Sequence, residues 1–468
     1  MKNVHFIGIG GSGLSALARL MLESGYTVSG SDRVLSPLAH QLANSGVRVS
    51  FGHAAENLRG SDGQLPDLVV RSSAIPDENP EVQAAKAAGI PVLKRSEFLS
   101  QLLSERTGIA VAGTHGKTTT TAMTAWVLVS LGKDPSYIIG GVSKDLSSNA
   151  HSGKGSYFVI EADEYDYMFL GLHPDYAIVT TVEHDHPDCF PTPADYHRAF
   201  VDFIHQLKPG GCLLVCQDDP GARLLTQEKP DSCRAFTYGL HPEADYRAQI
   251  TGHNKHGGYD FRLKMVDDTP LGTVPENKGL TISLRVPGEH NIRNATAVLA
   301  LAHQSDLPMQ EVIQALERYS GTARRFDILG EGSGVTVIDD YAHHPTEIRA
   351  TLSAARTRFP GQRIWVVWQP HTYSRTRALL AEFTRAFRDA DQVIVTEIYA
   401  AREPHEDFSA AQVVEKMAHP GAQFIPTLQD TIAYLVENLQ SGDVLLVLSA
   451  GDADQVSTEV LRQLAKSE

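Results

Sequence analysis

Residues 109–119 read IAVAGTHGKTT, an apolar run that leads into a glycine-rich loop and then into a run of good helix formers. In a strand–loop–helix arrangement, the amides after Gly116 can wrap a phosphate chain, Lys117 can reach the β and γ oxygens, and Thr118 can offer a hydroxyl to Mg²⁺. The usual spacing of the motif would place a glycine where this chain has Val111, so the loop is a shorter subtype of the P-loop. The segment predicts a protein that consumes ATP or GTP.

Short apolar runs alternate with amphipathic stretches along the whole chain, which predicts an α/β protein with parallel sheets and helices on both faces. Strands are predicted at 4–9, 26–30, 67–70, 109–112, 157–160, 176–180, 335–338, 363–368, 392–396 and 444–448. Helices are predicted at 12–23, 119–131, 346–358 and 375–388, among others. Polar seams at 104–107 and 319–322 predict three domains, at 1–105, 106–320 and 321–468, with a small antiparallel excursion over 245–287.

The composition limits the class of protein. The chain has 468 residues, 42% hydrophobic and 21% charged, which excludes a disordered or fibrous protein. A formal net charge of -15 argues against non-specific binding to nucleic acid or to an anionic membrane, since both require clustered basic residues. No apolar run is long enough to span a bilayer, and we expect a cytoplasmic protein. The cysteines lack the spacing of a zinc site and are expected to be reduced packing residues: Cys189, Cys212, Cys216 and Cys233.

A second glycine-rich loop, GIGGSG at 8–13, follows a predicted strand and opens a predicted helix, and its glycines argue against a signal peptide. Asp32 lies at the end of the next predicted strand, as in the fingerprint of dinucleotide-binding domains. Glycines let the backbone approach a pyrophosphate at the helix N-terminus, and the acid can accept a hydrogen bond from a ribose hydroxyl. The loop predicts NAD, FAD or a nucleotide sugar as ligand, and a turn needed only for helix–sheet packing is the alternative.

Acidic residues follow the strand at 157–160, in the run EADEYD at 161–166. Carboxylates at the carboxyl end of a parallel strand point into the crevice where ligands of α/β proteins bind, and Mg²⁺ prefers such oxygens. Glu161 is the leading candidate, whereas some of the later acids are expected to form a solvated turn. Beyond the strand at 176–180, Pro187 favours an extended backbone at His186. Because no third zinc ligand is evident, we interpret His186 as a second-cation ligand or a phosphate contact.

The last third of the chain carries three polar segments: RRF at 324–326, DDYAHHP at 339–345 and QPHTYSRTR at 369–377. The second and third each follow a strand and begin a helix, which places them on crevice loops at helix N-termini, a setting suited to anionic groups. Arginine side chains there can bind carboxylate or phosphate with two parallel hydrogen bonds. We expect some of these arginines to contact an anionic ligand.

Together these segments resemble the Mur ligases. The GTHGKTT loop, the EADE run and Asp185-His186 are similar to the central domain of that family. HFIGIGGSG at 5–13, PGEHN at 287–291 and the three C-terminal segments resemble the branch that joins L-alanine to UDP-N-acetylmuramate, in the same order over essentially the whole chain. The resemblance implies three domains: a Rossmann-like N-terminal domain for the UDP-sugar, a central P-loop ATPase domain, and a Rossmann-like C-terminal domain for the amino acid.

The resemblance also implies roles for individual residues, with ATP as co-substrate and Mg²⁺ as cofactor. For the UDP-sugar it implies Gly10, Gly11, Ser12, Gly13, Asp32 and Ser73. For ATP it implies Gly113, Thr114, His115, Gly116, Lys117, Thr118, Thr119, His290, Asn291, Asn294, Arg325 and Asp340. For the metal it implies Thr118, Glu161 and His186, and for the amino acid Tyr341, His343, His371 and Arg375. The implied catalytic set is Lys117, Glu161, His186 and His343.

Two positions depart from what relatives carry. Thr372 stands where some relatives have arginine, which leaves Arg375 and Arg377 as the expected cations for the amino-acid carboxylate and makes selectivity for L-alanine less certain. Relatives that add later residues use a carbamylated lysine at the position of Phe200, so this chain resembles a branch that does without that modification.

The implied reaction is a ligation in two steps. The protein is expected to be a monomer or a weak homodimer. The lactyl carboxylate attacks the ATP γ-phosphorus to give an acyl phosphate and ADP, and the amino group then displaces phosphate, with His343 a candidate base on chemical grounds alone. A murein tripeptide recycling ligase, which shares the central motifs, is the nearest alternative. An NAD-dependent oxidoreductase built on the N-terminal loop and a nucleotide-gated binding module without turnover are the others.

Overall fold

The structure is a computed structural model that describes residues 3–60, 62–265, 280–401 and 403–466. The chain forms two compact units. The first comprises Met1–Val182, His197–Asp245 and Ala297–Ala315, and the second Glu183–Tyr196, Tyr246–Thr296 and Leu316–Glu468. None of the described helices combines the length and the apolar character needed to cross a bilayer.

A five-stranded parallel sheet opens the first unit, in the order β3-β2-β1-β4-β5. Its strands are β1 (Asn3–Ile7), β2 (Thr27–Asp32), β3 (Arg48–Phe51), β4 (Leu68–Arg71) and β5 (Val92–Lys94). Its helices are α1 (Ser12–Glu23), α2 (Pro37–Asn44), α3 (Pro80–Ala87) and α4 (Arg95–Ser104). The chain order reverses on either side of β1, so the carboxyl ends of β1, β2 and β4 form the crevice expected of a dinucleotide-binding fold.

Seven further strands of the first unit lie in the order β12-β11-β10-β6-β9-β7-β8 and are parallel except for β8. They are β6 (Thr107–Ala112), β7 (Ser136–Ser143), β8 (Ser148–His151), β9 (Tyr157–Glu161), β10 (Tyr176–Val179), β11 (Cys212–Cys216) and β12 (Arg234–Gly239). The helices that follow along the chain are α5 (Lys117–Ser130), α6 (Pro193–Ile204), α7 (Pro220–Leu224), α8 (Glu289–Gln304) and α9 (Met309–Arg318). Val111 of β6 pairs with Glu161 of β9, so the segments after both strands leave the sheet at one edge.

The second unit contains an antiparallel ribbon and a six-stranded sheet. The ribbon consists of β13 (Tyr246–His253), β14 (Tyr259–Met265) and β15 (Leu280–Leu284), which confirms the predicted excursion; residues 266–279 lie outside the described part of the chain. The sheet has the order β16-β17-β21-β18-β19-β20 and is parallel except for β16. Its strands are β16 (Asp327–Gly332), β17 (Val335–Asp340), β18 (Ile364–Trp368), β19 (Gln392–Val395), β20 (Ala422–Phe424) and β21 (Val444–Leu448). Its helices are α10 (Pro345–Arg358), α11 (Tyr373–Ala378), α12 (Leu380–Phe383), α13 (Ala410–Val414), α14 (Leu428–Asn438) and α15 (Asp454–Leu464).

The α/β class and each predicted strand are confirmed, but the single helix predicted over 375–388 is wrong. The chain forms α11 and α12 with a break at Leu379, where φ is -105° and ψ is 21°. The Thr376 hydroxyl donates to the carbonyl of Thr372 at 2.6 Å, a side-chain bond to the preceding turn that commonly bends helices. Phe200 is fully buried against the ring of Phe169, so the position held by a modified lysine in some relatives is an aromatic core position here.

A buried carboxylate organises the N-terminal sheet. Glu81, in the first turn of α3, accepts hydrogen bonds from His5 Nε2 at 2.9 Å and Ser31 Oγ at 2.7 Å. Its other oxygen accepts from Asn57 Nδ2 at 2.7 Å and the amide of Ala54 at 3.1 Å. Burial opposes ionisation, but the hydrogen bonds from these side chains outweigh it and hold the pKa of Glu81 below its ordinary value.

This network fixes the backbone from which the first glycine loop departs. The carbonyl of Ser31 accepts from the amides of Gly8 at 2.8 Å and Ile9 at 3.1 Å. Gly8 has φ of 89°, a left-handed conformation that glycine adopts without strain. The conformation of the loop therefore depends on a strand end that Glu81 holds through the Ser31 side chain.

We predict that Glu81→Gln lowers the free energy of opening of β1 and β2 by about 3 kcal/mol at neutral pH, because a buried network loses its charged acceptor. The pKa of Glu81 is lowered by folding, so its stabilisation is complete above the ordinary value of 4.5 and is lost as the pH falls through the lowered folded value. Native-state hydrogen exchange of the β1 and β2 amides at several pH values measures both effects.

The exposed Glu78 provides the matched control, and Glu78→Gln is expected to change the same free energy by less than about 0.5 kcal/mol. Equal protection of Glu81→Gln and the parent protein at neutral pH would contradict the role given to this carboxylate. A difference in the free energy of opening between Glu81→Gln and the parent protein that persists unchanged in acid would also contradict it.

Candidate functional site

Two glycines shape the P-loop after β6. Gly113 has φ of 134°, and a Cβ there would lie 2.0 Å from Thr180 Oγ1, so only glycine fits against the end of β10. Gly116 has φ of 83° and is the N-cap of α5, whose first residue is Lys117. The amides at the start of α5 thus face the loop, which is the setting for a phosphate chain.

The rest of the loop is tied to the segment after β10. The amide of Thr114 donates to the Thr181 carbonyl and that of His115 to Thr181 Oγ1, both at 2.9 Å. Thr119 lies in the first turn of α5. The sequence-predicted phosphate loop is therefore one continuous structure from Gly113 into the helix.

Lys117 is held by an acidic residue that the sequence did not single out. Its Nζ donates to Glu164 Oε2 at 2.8 Å, and also to the carbonyls of Gly113 at 2.5 Å and Thr114 at 3.2 Å. Burial disfavours the ammonium, but the carboxylates of Glu164 and its neighbours outweigh burial and raise the pKa of Lys117. Glu164 is buried, so the part of the EADEYD run expected to be a solvated turn includes the counter-ion of the loop lysine.

Oxygen donors suited to Mg²⁺ meet at the start of α5. Thr118 Oγ1 donates to Glu161 Oε1 at 3.0 Å, and the amide of Gly140 fixes the other oxygen of Glu161 at 2.7 Å. A hydroxyl and a carboxylate beside a phosphate loop fit the preference of Mg²⁺ for hard oxygen ligands. His186 belongs to the second unit, and its role as a third ligand stays a prediction.

The N-terminal glycine loop is held by the predicted acid. Asp32 Oδ2 accepts from the amide of Gly10 at 2.8 Å, and Ser36 Oγ donates to the carbonyl of Gly10 at 2.8 Å. Asp32 therefore shapes the loop in this structure, and its contact with a ribose hydroxyl stays a prediction.

The other residues predicted for the UDP-sugar lie at the same sheet edge. Gly11 is the N-cap of α1, and the backbone of Ser12 begins the helix, although the Ser12 side chain is outside the described part. Gly13 lies in the first turn. Ser73 is exposed beyond the carboxyl end of β4, which pairs with β1.

In the second unit, Arg375 already has a counter-ion. Its Nε and Nη2 donate to the two carboxylate oxygens of Asp185 at 2.9 and 3.2 Å, and both side chains are buried. Burial disfavours ionisation of Asp185, but Arg375 outweighs it and lowers the pKa of that carboxyl below its usual range. Arg377 is paired with Glu406 at 2.6 Å. Each of the two arginines expected to bind the amino-acid carboxylate therefore has an acidic partner 29 or more residues away in sequence, and their role at that carboxylate stays a prediction.

His186 adopts a left-handed backbone with φ of 52°, so the extended conformation predicted from Pro187 is wrong. The carbonyl of His186 accepts from the amides of Cys189 and Phe190, at 2.9 and 2.8 Å, and its own amide donates to Asp185 Oδ1 at 2.7 Å. These bonds close a turn that outweighs the local preference of a residue before proline.

A capping box starts α10 and sets the position of His343. His344 is the N-cap, Pro345 is the first helical residue, and Glu347 Oε2 accepts from the amides of His343 at 3.0 Å and His344 at 3.2 Å. The Nδ1 of His343 donates to the carbonyl of Tyr341 at 2.9 Å, which leaves Nε2 as the unprotonated nitrogen of the neutral ring. Burial, assisted by the charge of Arg375, lowers the pKa of His343 to about 3.

The predicted amino-acid residues form a connected group. The rings of His343 and His371 lie 5.8 Å apart, and Arg375 Nη1 donates to His371 Nδ1 at 3.1 Å. The Tyr341 ring contacts His343 on one side at 5.3 Å and receives the Arg325 guanidinium at 4.9 Å. Tyr341 thus lies between the residues predicted for the amino acid and those predicted for the nucleotide.

A cavity of about 40 Å³ adjoins Arg375. By this measure a water needs roughly 10–15 Å³, so the cavity admits only a very small molecule. Glu403, which the sequence did not indicate, caps α11 by accepting from the amides of Tyr373 at 2.5 Å and Ser374 at 3.1 Å. The lining residues are His186, Pro187, Asp188, His371, Thr372, Ser374, Arg375 and Glu403.

Residues predicted for ATP also cluster in the second unit. Asn291 Nδ2 donates to the Pro287 carbonyl at 2.7 Å and its Oδ1 accepts from Asn294 at 3.1 Å, at the start of α8. Burial, with the charges of Arg293 and Arg325, lowers the pKa of His290 to about 4.

Asp340 ends β17 and holds two loops. Its carboxylate accepts from the amides of Phe326 at 2.6 Å and Ala342 at 2.7 Å, and burial raises its pKa to about 6 against the opposing charge of Arg325. Arg325 and Asp340 are therefore neighbours, and their shared role at the nucleotide stays a prediction.

Comparison with known proteins places the chain in a family. Family models match consecutive segments: "Mur ligase family, catalytic domain" at 3–107, "Mur ligase middle domain" at 111–302 and "Mur ligase, glutamate ligase domain" at 324–451. The UDP-N-acetylmuramate–L-alanine ligase of Desulforamulus reducens is 41% identical over 99% of this chain and 98% of its own.

Two solved structures share the architecture over nearly the full length. The UDP-N-acetylmuramate–alanine ligase of Thermotoga maritima has a TM-score of 0.81 and 28% identity, with all of both chains covered. A murein peptide ligase from Psychrobacter arcticus has a TM-score of 0.70 and 25% identity, with 99% of both chains covered. With these matches and the phosphate loop, oxygen donors and second glycine loop described above, the chain belongs to the Mur ligase family.

Proposed function

We propose that the protein joins L-alanine to the lactyl carboxylate of UDP-N-acetylmuramate and converts ATP to ADP and phosphate, a step of peptidoglycan synthesis. The full-length similarity to proteins named UDP-N-acetylmuramate–L-alanine ligase supports this choice of substrates. The observation that carries the chemistry is the phosphate loop with Lys117 paired to Glu164 and Thr118 in contact with Glu161. ATP and the UDP-sugar are both anionic ligands. The enzyme acts in the cytoplasm, as a monomer or a weak homodimer.

A carboxylate is a poor acylating agent, so the first step activates it. The lactyl carboxylate oxygen attacks the γ-phosphorus in line, the bond from phosphorus to the β,γ-bridging oxygen breaks, and ADP leaves. Lys117, at the start of α5, neutralises charge that develops on the transferred phosphoryl oxygens. Thr118 and Glu161, with His186 as the further predicted ligand, would hold Mg²⁺, which would supply additional positive charge beside the phosphates.

The ammonium of Lys117 must exchange partners for this role. It donates to Glu164 and two loop carbonyls, which uses its three N–H bonds. A phosphate that enters the loop takes over one or more of these bonds while Glu164 keeps the lysine charged. The pair thus holds a cation where phosphate binds, although Glu164 competes with the phosphate for the N–H donors of Lys117.

The amino group of alanine then attacks the acyl carbon, and phosphate leaves with the former carboxylate oxygen. Three of the five N–H donors of the Arg375 guanidinium are used by Asp185 and His371, which leaves donors for the alanine carboxylate. His343, neutral with an unprotonated Nε2, accepts a hydrogen bond from the attacking amine. Its low pKa makes it a poor store for the proton that the amine loses, which leaves on the departing phosphate, so His343 orients the amine and does not retain the charge.

The murein tripeptide recycling ligase remains the alternative, and the similarity to known proteins favours alanine. A relative named UDP-N-acetylmuramate–L-alanine ligase is 41% identical over 99% of this chain. The greater structural similarity to the alanine ligase, a TM-score of 0.81 against 0.70, agrees with this choice.

We predict that purified protein with ATP, Mg²⁺ and UDP-N-acetylmuramate releases phosphate when L-alanine is added and not when L-alanyl-γ-D-glutamyl-meso-diaminopimelate is added. A coupled phosphate-release assay measures both. Release stimulated only by the tripeptide would show that the substrate choice is wrong.

The same assay tests whether phosphoryl transfer takes place in the loop that holds Lys117. Lys117→Ala is expected to lower kcat by roughly 10²–10³-fold with the fold intact, because the lysine acts on charge that develops in the transition state. Lys133, exposed beyond the end of α5, is the matched control, and Lys133→Ala should retain activity. Turnover that survives Lys117→Ala would contradict phosphoryl transfer in this loop.

A further prediction concerns pH. Because the pKa of His343 is lowered to about 3, its ring is neutral throughout the range from about pH 5 to 8 in which histidines usually titrate. The kcat/KM for alanine should therefore rise with pH through the ionisation of the amine alone, and His343→Gln should lower it about tenfold without changing the shape of the profile. An acidic limb near pH 6.5 that disappears in His343→Gln would contradict this assignment.

A further inference from the structure

An arginine outside every motif lies against the N-terminal glycine loop. Arg95 is the first residue of α4, and its guanidinium occupies the space beside Gly13 in the first turn of α1. A Cβ at Gly13 would lie 2.3 Å from both Cζ and Nη1 of Arg95. Gly13 has an ordinary helical backbone with negative φ, so its conformation does not require glycine. The missing side chain instead leaves space for the guanidinium.

The charge of Arg95 is poorly compensated. Its Nε is buried and donates to no acceptor within the described residues. Burial lowers the pKa of Arg95, and the carboxylates of Asp163 and Glu161 oppose that effect only through space, without a hydrogen bond. Glu161 is also a predicted Mg²⁺ ligand and accepts from Thr118 Oγ1 at 3.0 Å, so its charge is shared with that site.

The neighbouring helix end adds to the positive potential. In the described part of the chain, α1 has no side-chain cap at Gly11 and no acidic residue in its first turn. A helix N-terminus carries about half a positive charge, and its first amides lack partners within the helix. Asp32, which accepts from the amide of Gly10 at 2.8 Å, supplies one negative charge beside this end, and a guanidinium packed there favours a further anion.

We propose that Arg95 binds the diphosphate of the nucleotide sugar together with the amides at the start of α1. This inference rests on the proposed function, because it takes the diphosphate from that substrate. A guanidinium presents paired donors that match phosphate oxygens, and a diphosphate neutralises both the arginine and the helix end. The third glycine of the fingerprint is then needed for Arg95 to reach the ligand.

Calorimetric titration of UDP and of uridine tests the proposal. Arg95→Met should weaken UDP binding by roughly 10- to 100-fold, the loss expected for hydrogen bonds between charged groups, and leave uridine binding within about twofold. ATP affinity should be unchanged, since its phosphates bind the other loop. Lys94→Met removes an exposed charge one residue away and should leave all three affinities unchanged.

Gly13→Ala gives an independent variant in which Arg95 is retained but displaced. It should weaken UDP binding in the parent protein and have no further effect in Arg95→Met, because the three atoms nearest to the added methyl group all belong to the guanidinium. Additive losses in the double variant would contradict the proposal.

The outcomes distinguish the role of Arg95 from the proposed function. If the parent protein binds UDP and Arg95→Met binds it equally well, the assignment of Arg95 is overturned while the proposed function stands. Equal losses for UDP and uridine would make Arg95 a structural residue, and a loss confined to ATP would assign it to the other phosphate chain; both overturn the proposal. Absence of UDP binding by the parent protein would overturn the proposed function and this inference together.

Discussion

The pairing of β6 with β9 is the constraint on which the nucleotide chemistry depends. Val111 lies opposite Glu161, so the phosphate loop and the acidic run leave the sheet at the same edge and in the same direction. The contacts of Thr118 with Glu161 and of Lys117 with Glu164 follow from that register. A shift of one residue would turn every side chain of β9 to the opposite face and separate the donors from the loop.

Lys117, Arg375 and Arg95 differ in how their positive charge is compensated. The loop lysine is paired with Glu164 and Arg375 with Asp185, so both are held in place before any ligand binds. Arg95 instead depends on two carboxylates that act through space. The acidic total of -15 therefore describes the chain as a whole, whereas local positive potential comes from a few positioned cations and from the N-termini of α1 and α5.

The α/β class, the strands and both glycine loops could be predicted from sequence because each depends on local patterns of apolar residues and glycine. The unpredicted features depend on residues far apart in the chain: Arg95 against Gly13, Asp185 with Arg375, and the capping of α11 by Glu403. Glu164 was within a recognised acidic run, but the sequence could not show that this carboxylate is buried. The continuous helix predicted over 375–388 and the extended backbone predicted at His186 were wrong because short-range hydrogen bonds favour another conformation at each position. The three domain boundaries and the roles of the site residues stay predictions.

The proposed reaction depends on attack of the substrate carboxylate on the γ-phosphorus of ATP. UDP-N-acetylmuramate labelled with ¹⁸O in both lactyl carboxylate oxygens, turned over with L-alanine and ATP, tests it through mass spectrometry of the released phosphate. We expect one ¹⁸O atom in each phosphate, because the oxygen that bonds to phosphorus leaves with it when the amide forms, and the other stays in the amide carbonyl. Unlabelled phosphate, or label recovered in an adenine nucleotide, would contradict this mechanism.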